Sequence, residues 1–269
     1  MIFGHGGRGL ERLAGGSQPR GTRTRTATPT HWPTQRAGQE TWRAPGPAAA
    51  AQWTRGPSAG LAREALQQSL LFPVTRLVAH PQVHGAQDLH HAPQPALLTA
   101  NHASDLDTPL ILAALPYSWR SRTLVGAAAD RFYRRRRYAL ASTLWIGTFP
   151  FDREGDGRGL AQASALLREG WNLLLYPQGT RSHGVGGFRT GVARLALATD
   201  APIVPVHVGG TALLMPKGRG LTQRGTATVR FGRPLLPAGT EEPHELSQRI
   251  ADAVGDLADA RPGSPLRPA

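Results

Sequence analysis

The chain has 269 residues, room for one large α/β domain with a tail or for two small domains. It contains no cysteine, which excludes disulfides, thiolate zinc sites and a cysteine nucleophile. A formal charge of +13 points to anionic partners, among them lipid headgroups, acidic carrier proteins, nucleotide cofactors and nucleic acids. Apolar residues make up 40%, adequate for a core but slightly low for a chain that folds throughout. Lys217 is the only lysine, so the positive charge is almost all arginine. That bias fits both bidentate phosphate recognition and GC-rich codon usage. No apolar stretch approaches the ~18 to 20 residues of a spanning helix, and the N-terminus lacks the apolar centre of a signal peptide. The expectation is a protein that touches a membrane without crossing it.

Residues 1–60 read as a disordered tail rich in Gly, Pro, Thr, Arg and Ala, with no period that could bury a face. Eight arginines there stand against Glu11 and Glu40, a net +6. Two motif matches in this stretch lack their structural context. Gly4 to Gly9 fits the dinucleotide pattern GxGxxG, but no strand can precede it. Gly56-Pro57-Ser58-Ala59-Gly60 fits the GxSxG elbow, but follows an Ala- and Pro-rich linker.

From residue 61 to 269 the pattern is that of one folded domain. A helix is expected over 61–71, broken near Pro73, with a short helical piece to Val78. Strand-like and helix-like segments then alternate. Strands are expected at 96–100, 123–127, 147–151, 172–176, 203–208 and 227–231. Helices are expected at 108–114, 130–143, 159–169, 189–198 and 244–260. Continuous apolar strands between amphipathic helices give an α/β fold class, a mostly parallel central sheet flanked by helices. Ligands of such sheets collect where the chain leaves the strands' carboxyl ends.

Asn101-His102-Ala103-Ser104-Asp105-Leu106-Asp107 follows directly on the first of these strands. Four residues separate His102 from Asp107, so a tight turn into a helix can bring the carboxylate against the imidazole. The carboxylate would then fix the tautomer and leave the other ring nitrogen as a base. Asp105 is a rival orienter. The alternative is that His102 is a polar loop residue and the aspartates cap the next helix. Spacing alone leaves both readings standing.

Further stretches follow in order: Gly147-Thr148-Phe149-Pro150-Phe151-Asp152-Arg153, Tyr176-Pro177-Gln178-Gly179-Thr180-Arg181-Ser182, Phe188-Arg189-Thr190-Gly191 and Ile203-Val204-Pro205-Val206. With the His102 block they resemble the lysophospholipid acyltransferases of the bacterial 1-acylglycerol-3-phosphate acyltransferase type, over about residues 75–240. The resemblance implies a glycerol-phosphate-acyltransferase-like fold in which His102 and Asp107 are the catalytic pair. It implies that Arg153, with Gly179, Thr180 and Arg181, holds the acceptor's phosphate, and that Pro205 shapes the site. Two arginines with a glycine turn and a hydroxyl suit a phosphomonoester. The family's third block usually carries Glu where this chain has Gln178, which keeps the oxygen and loses the charge.

The implied reaction is acyl transfer from an acyl-CoA or acyl carrier protein thioester to the free hydroxyl of a lysophospholipid acceptor, 1-acylglycerol-3-phosphate, giving phosphatidic acid in phospholipid synthesis, with no further cofactor and no metal. Ser104 is a conceivable nucleophile, but a loop hydrogen-bonding role is the better reading of it. The run Arg131 to Tyr138 interleaves arginines with Phe132, Tyr133 and Tyr138, as an anchor on an anionic membrane surface would. A solvated helix face is the alternative reading of the same run, and a lipid substrate favours the membrane one. No specific nucleic-acid motif is present. The expected location is the cytoplasmic face of the cell membrane, as a peripheral protein. Two alternatives remain: another acceptor, such as glycerol-3-phosphate or a different lysolipid, and a basic membrane-binding homologue without catalysis.

Overall fold

The computed structural model describes residues 55–128, 136–151, 157–179, 181, 187–216, 218–221 and 223–260, with backbone only at 136–140 and 158. Most of the expected tail, the Gly4 to Gly9 motif, Arg153 and Thr180 lie outside the described residues. So does most of the arginine run, of which Arg136 to Tyr138 are described as backbone in a helix.

The first helix, α1 (Pro57–Leu66), starts four residues before the expected boundary at 61. Pro57 suits a first turn, because its fixed φ is already helical and no N–H is needed there. The helical path then runs on where a break near Pro73 was expected. A π turn (Gln67–Leu71) lets the Phe72 N–H reach the Gln67 carbonyl, and α2 (Phe72–Ala79) takes Pro73 into its own first turn. The strand β1 (Pro81–His84) follows, half polar and unforeseen. Gly85 is left-handed at φ 76°, where a Cβ would run into the Phe231 carbonyl.

The remaining elements follow in chain order, with shifted ends where they were expected; the four-residue helices Tyr117–Arg120 and Thr211–Leu214 among them were not foreseen. They are β2 (Leu97–Ala100), α3 (Asp107–Ala114), α4 (Tyr117–Arg120), β3 (Thr123–Ala128), α5 (Arg136–Ile146), β4 (Thr148–Phe151) and α6 (Arg158–Arg168). Then come β5 (Asn172–Leu175), α7 (Gly191–Thr199), β6 (Ile203–Gly209), α8 (Thr211–Leu214), β7 (Ala227–Phe231) and α9 (Pro243–Asp259). The strands form one sheet in the order β1-β7-β6-β2-β5-β3-β4. Every neighbouring pair is parallel except β6 with β7, so β1 and β7 run against the other five.

Both faces are buried, as a parallel sheet requires. Leu98, Ala100, Leu174, Val204, Val206 and Val208 pack beneath α3 through Leu110 and Ile111. Leu97, Leu173, Leu175 and Ile203 face the helices on the other side, through Leu166, Leu195 and Ile250. Adjacent parallel strands β6, β2 and β5 deliver the residues that follow them to the same end of the sheet. That arrangement positions the site.

His207 of β6 stands opposite Arg230 of β7. Burial, and then the Arg230 charge, hold its imidazole below the ordinary histidine range, against the opposing pull of Asp107 and Asp259. The unfolded chain therefore takes up a proton on His207 that the folded chain resists. This contribution to stability is complete above about pH 6.5 and is lost as the pH falls through the folded value. Urea unfolding at several pH values is expected to give wild type a steeper acid loss of stability than His207→Gln. Parallel curves would show that His207 carries none of it.

Candidate active site

The loop after β2 is built by its own polar side chains. Asn101 extends the ladder to β6, donating Nδ2 to the Val208 carbonyl at 2.9 Å and accepting the Val208 N–H at 2.8 Å. Ser104 accepts the Leu106 N–H at 3.2 Å and donates to the Met215 carbonyl at 2.8 Å. The chain then enters α3 with Asp107 as its first residue.

Asp107 is fully buried and still hydrogen-bonded on both oxygens. Its Oδ2 accepts the Ala103 N–H at 2.7 Å and the Ser104 N–H at 2.8 Å, and meets His102 Nδ1 at 2.9 Å. Its Oδ1 accepts the Thr211 hydroxyl at 2.6 Å. These donors satisfy both oxygens of the buried carboxylate, which stands in the first turn of a helix, a favourable place for an acidic side chain. A proton on Nδ1 would donate to that carboxylate and leave Nε2 as the acceptor nitrogen of the ring.

The imidazole is held flat as well as in line. Its ring stacks on Tyr176, with centroids 4.2 Å apart and planes 24° apart. The Tyr176 hydroxyl pairs with Thr108 Oγ1 at 2.8 Å, one residue beyond Asp107. Burial first, and then the Asp107 charge, push the Tyr176 phenol above its ordinary range, so it stays protonated. Gln178 Oε1 accepts the His102 backbone N–H at 2.7 Å. The amide therefore helps to fix the backbone of His102, a task for which a neutral oxygen is sufficient.

The rival Asp105 does not face the imidazole. Its half-exposed carboxylate pairs with Arg181 Nη1 at 2.5 Å, and the Arg181 side chain is largely buried. Gly179 turns the chain at φ 69°, its N–H bonded to the Tyr176 carbonyl at 3.0 Å. The Arg189 guanidinium lies against that glycine, which places a further cation beside the turn. The structure thus brings His102, Asp107, Gln178, Gly179 and Arg181 to one end of the sheet.

Pro205 sits elsewhere. It lies mid-strand in β6, opposite Thr99, and its ring packs against Gly232 on the face away from α3. Its carbonyl accepts the Gly232 N–H at 2.8 Å, just past the end of β7, and the reciprocal bond of that antiparallel pair is the one a proline cannot donate. Sequence reading missed Asn101, Tyr176 and Thr211 as parts of the site. The one available signal for Thr211 was Gly209-Gly210-Thr211, a glycine pair and a hydroxyl directly after a strand.

Comparison with known proteins bears on the family and the fold. A family model described as Acyltransferase matches residues 80–209. The 1-acyl-sn-glycerol-3-phosphate acyltransferase of Chlamydomonas reinhardtii is 28% identical over 188 residues, which are 68% of this chain and 52% of that protein. The lyso-ornithine lipid O-acyltransferase of Pseudomonas aeruginosa is 31% identical over 181 residues, 60% of this chain and 67% of that one. The chain spans about half the length of the plant and algal relatives it matches, for example 44% of the one from Brassica napus and 52% of the one from Chlamydomonas. The fold is like that of the 1-acyl-sn-glycerophosphate acyltransferase from Thermotoga maritima, with a TM-score of 0.55 and 20% identity over 81% of this chain and 97% of that one. The family match, a related enzyme covered over two thirds of its length and a shared fold lead to one conclusion: the chain belongs to the lysophospholipid acyltransferase family.

Proposed function

We propose that this chain transfers an acyl group from an acyl-CoA or acyl carrier protein thioester to the free hydroxyl of 1-acylglycerol-3-phosphate, giving phosphatidic acid. The observation that carries the proposal is the buried Asp107 carboxylate on His102 Nδ1, at the open end of a parallel sheet. His102 Nε2 removes the proton of the acceptor hydroxyl, and Asp107 stabilises the imidazolium that forms. The acceptor oxygen attacks the thioester carbonyl, the C–S bond breaks, and the thiolate leaves with the proton returned by His102. Transfer is direct. Ser104 is buried and engaged with the Leu106 N–H and the Met215 carbonyl, which argues against an acyl-serine intermediate.

Arg181 and the Gly179 turn are assigned to the acceptor's phosphate, together with Arg153 and Thr180. Arg181→Ala is expected to raise the KM for a phosphate-bearing acceptor by about 1.5 to 3 kcal/mol in binding terms, with little change for the donor. Equal changes for both substrates would make the arginine structural.

Docking on an anionic membrane surface at its cytoplasmic face is part of the same proposal. Among the described residues no helix is long and apolar enough to cross a membrane. Leu70, Val74 and Leu77 recur along the α1–α2 run with 45 to 54% exposure, and Arg76 is exposed beside them. An apolar stripe flanked by a cation suits a headgroup layer.

A second reading, acylation of another lysolipid, is favoured by the similarity to the lyso-ornithine lipid enzyme. Thiol release from acyl-CoA and acyl carrier protein, measured against a panel of acceptors, separates the readings. The expected result is the highest kcat/KM with 1-acylglycerol-3-phosphate. Preference for an acceptor without phosphate would move the assignment to the second reading. No release with any acceptor would favour a non-catalytic membrane-binding protein.

A further inference from the structure

The segment after β6 forms the second half of the site. Asn101 is bonded to both backbone groups of Val208, and Ser104 to Met215. The remaining link reaches the carboxylate itself, where Thr211 Oγ1 donates to Asp107 Oδ1 at 2.6 Å. Both residues have no exposed surface, so water cannot replace this bond. Thr211 reaches that position because Gly210 turns the chain at φ 85°, where a Cβ would stand 2.6 Å from the Thr226 carbonyl. We propose that Thr211 is a positioning residue of the His102–Asp107 pair, fixing the carboxylate's rotation and supporting its negative charge during proton transfer. The proposal rests on the reading of His102 as the general base.

Oδ2 has three donors, from His102, Ala103 and Ser104, and Oδ1 takes the hydroxyl. Without the hydroxyl, a buried anionic oxygen loses a short, charge-assisted bond. Two things then degrade together. The carboxylate can swing away from the Nδ1–H direction, and it resists carrying the charge that stabilises the imidazolium. Neither effect touches the substrates, so the loss belongs in kcat.

Thr211→Val keeps the shape and removes the donor, whereas Thr211→Ser keeps the donor. Steady-state kinetics with both substrates varied are expected to show kcat about 10- to 100-fold lower for Thr211→Val. Both KM values should stay near wild type, and Thr211→Ser should recover most of the rate. In an Asp107→Asn background, Thr211→Val should add no further loss, because the two act as a unit. Wild-type kcat in Thr211→Val, equal losses in the valine and serine variants, or full additivity with Asp107→Asn would each overturn the proposal. His102→Ala in the same assay separates two failures. An indifferent Thr211→Val beside an inactive His102→Ala sinks the positioning role alone, whereas an active His102→Ala removes the pair it would position.

Discussion

His102→Ala is expected to lower kcat by about 10²- to 10⁴-fold, the usual contribution of a positioned general base, while the protein melts close to wild type. The side chain is 20% exposed, and its two described ring partners are Asp107 and Tyr176. The contact that fixes the loop's backbone runs from the His102 N–H to Gln178, and alanine keeps that N–H. Asp107 also keeps its donors from Ala103, Ser104 and Thr211, so removing the ring does not strand the buried charge. Chemistry should therefore fail before folding does. A variant with near wild-type turnover would show that another group takes the proton. Circular dichroism and thermal melting beside the rate separate this outcome from simple unfolding.

Asp107→Asn should come close to the same loss. The amide is nearly isosteric, and its oxygen can still accept from Ala103 and Ser104 while its NH₂ turns to the Thr211 hydroxyl. The fold is thus largely preserved, but the charge that stabilises the imidazolium is gone. Asp105→Asn should have a much smaller effect on kcat, since that carboxylate faces Arg181 and not the imidazole. The distinction is measurable with one assay and three proteins. If Asp105→Asn were the more damaging of the two, the orienting role would move to Asp105.

Much of this architecture was legible in the chain. The apolar runs at Leu97–Ala100, Asn172–Leu175 and Ile203–Gly209 are central strands buried on both faces, and so carry the strongest signal. Pro81–His84 escaped because it is half polar and, among the described residues, an edge strand paired only with β7. Pro73 read as a break because propensity sees its missing N–H and not the π turn that accommodates it. At the site, the contact between His102 and Asp107 was legible because both lie in one turn. Thr211 was not, since its contact spans 104 residues and depends on β2 and β6 being neighbours. Spacing could not choose between Asp105 and Asp107. The choice is made by α3, whose first turn carries Asp107 inward while Asp105 stays on the rim beside Arg181.

The central claim is direct transfer of the acyl group to a lysolipid hydroxyl by the His102–Asp107 pair. Its most direct measurement combines thiol release, lipid product and intact protein mass in one reaction with acyl thioester and 1-acylglycerol-3-phosphate. The expected result is thiol and phosphatidic acid in equal amounts, release that depends on the acceptor, and protein of unchanged mass throughout. Release without acceptor, with an acyl group appearing on the protein, would contradict it.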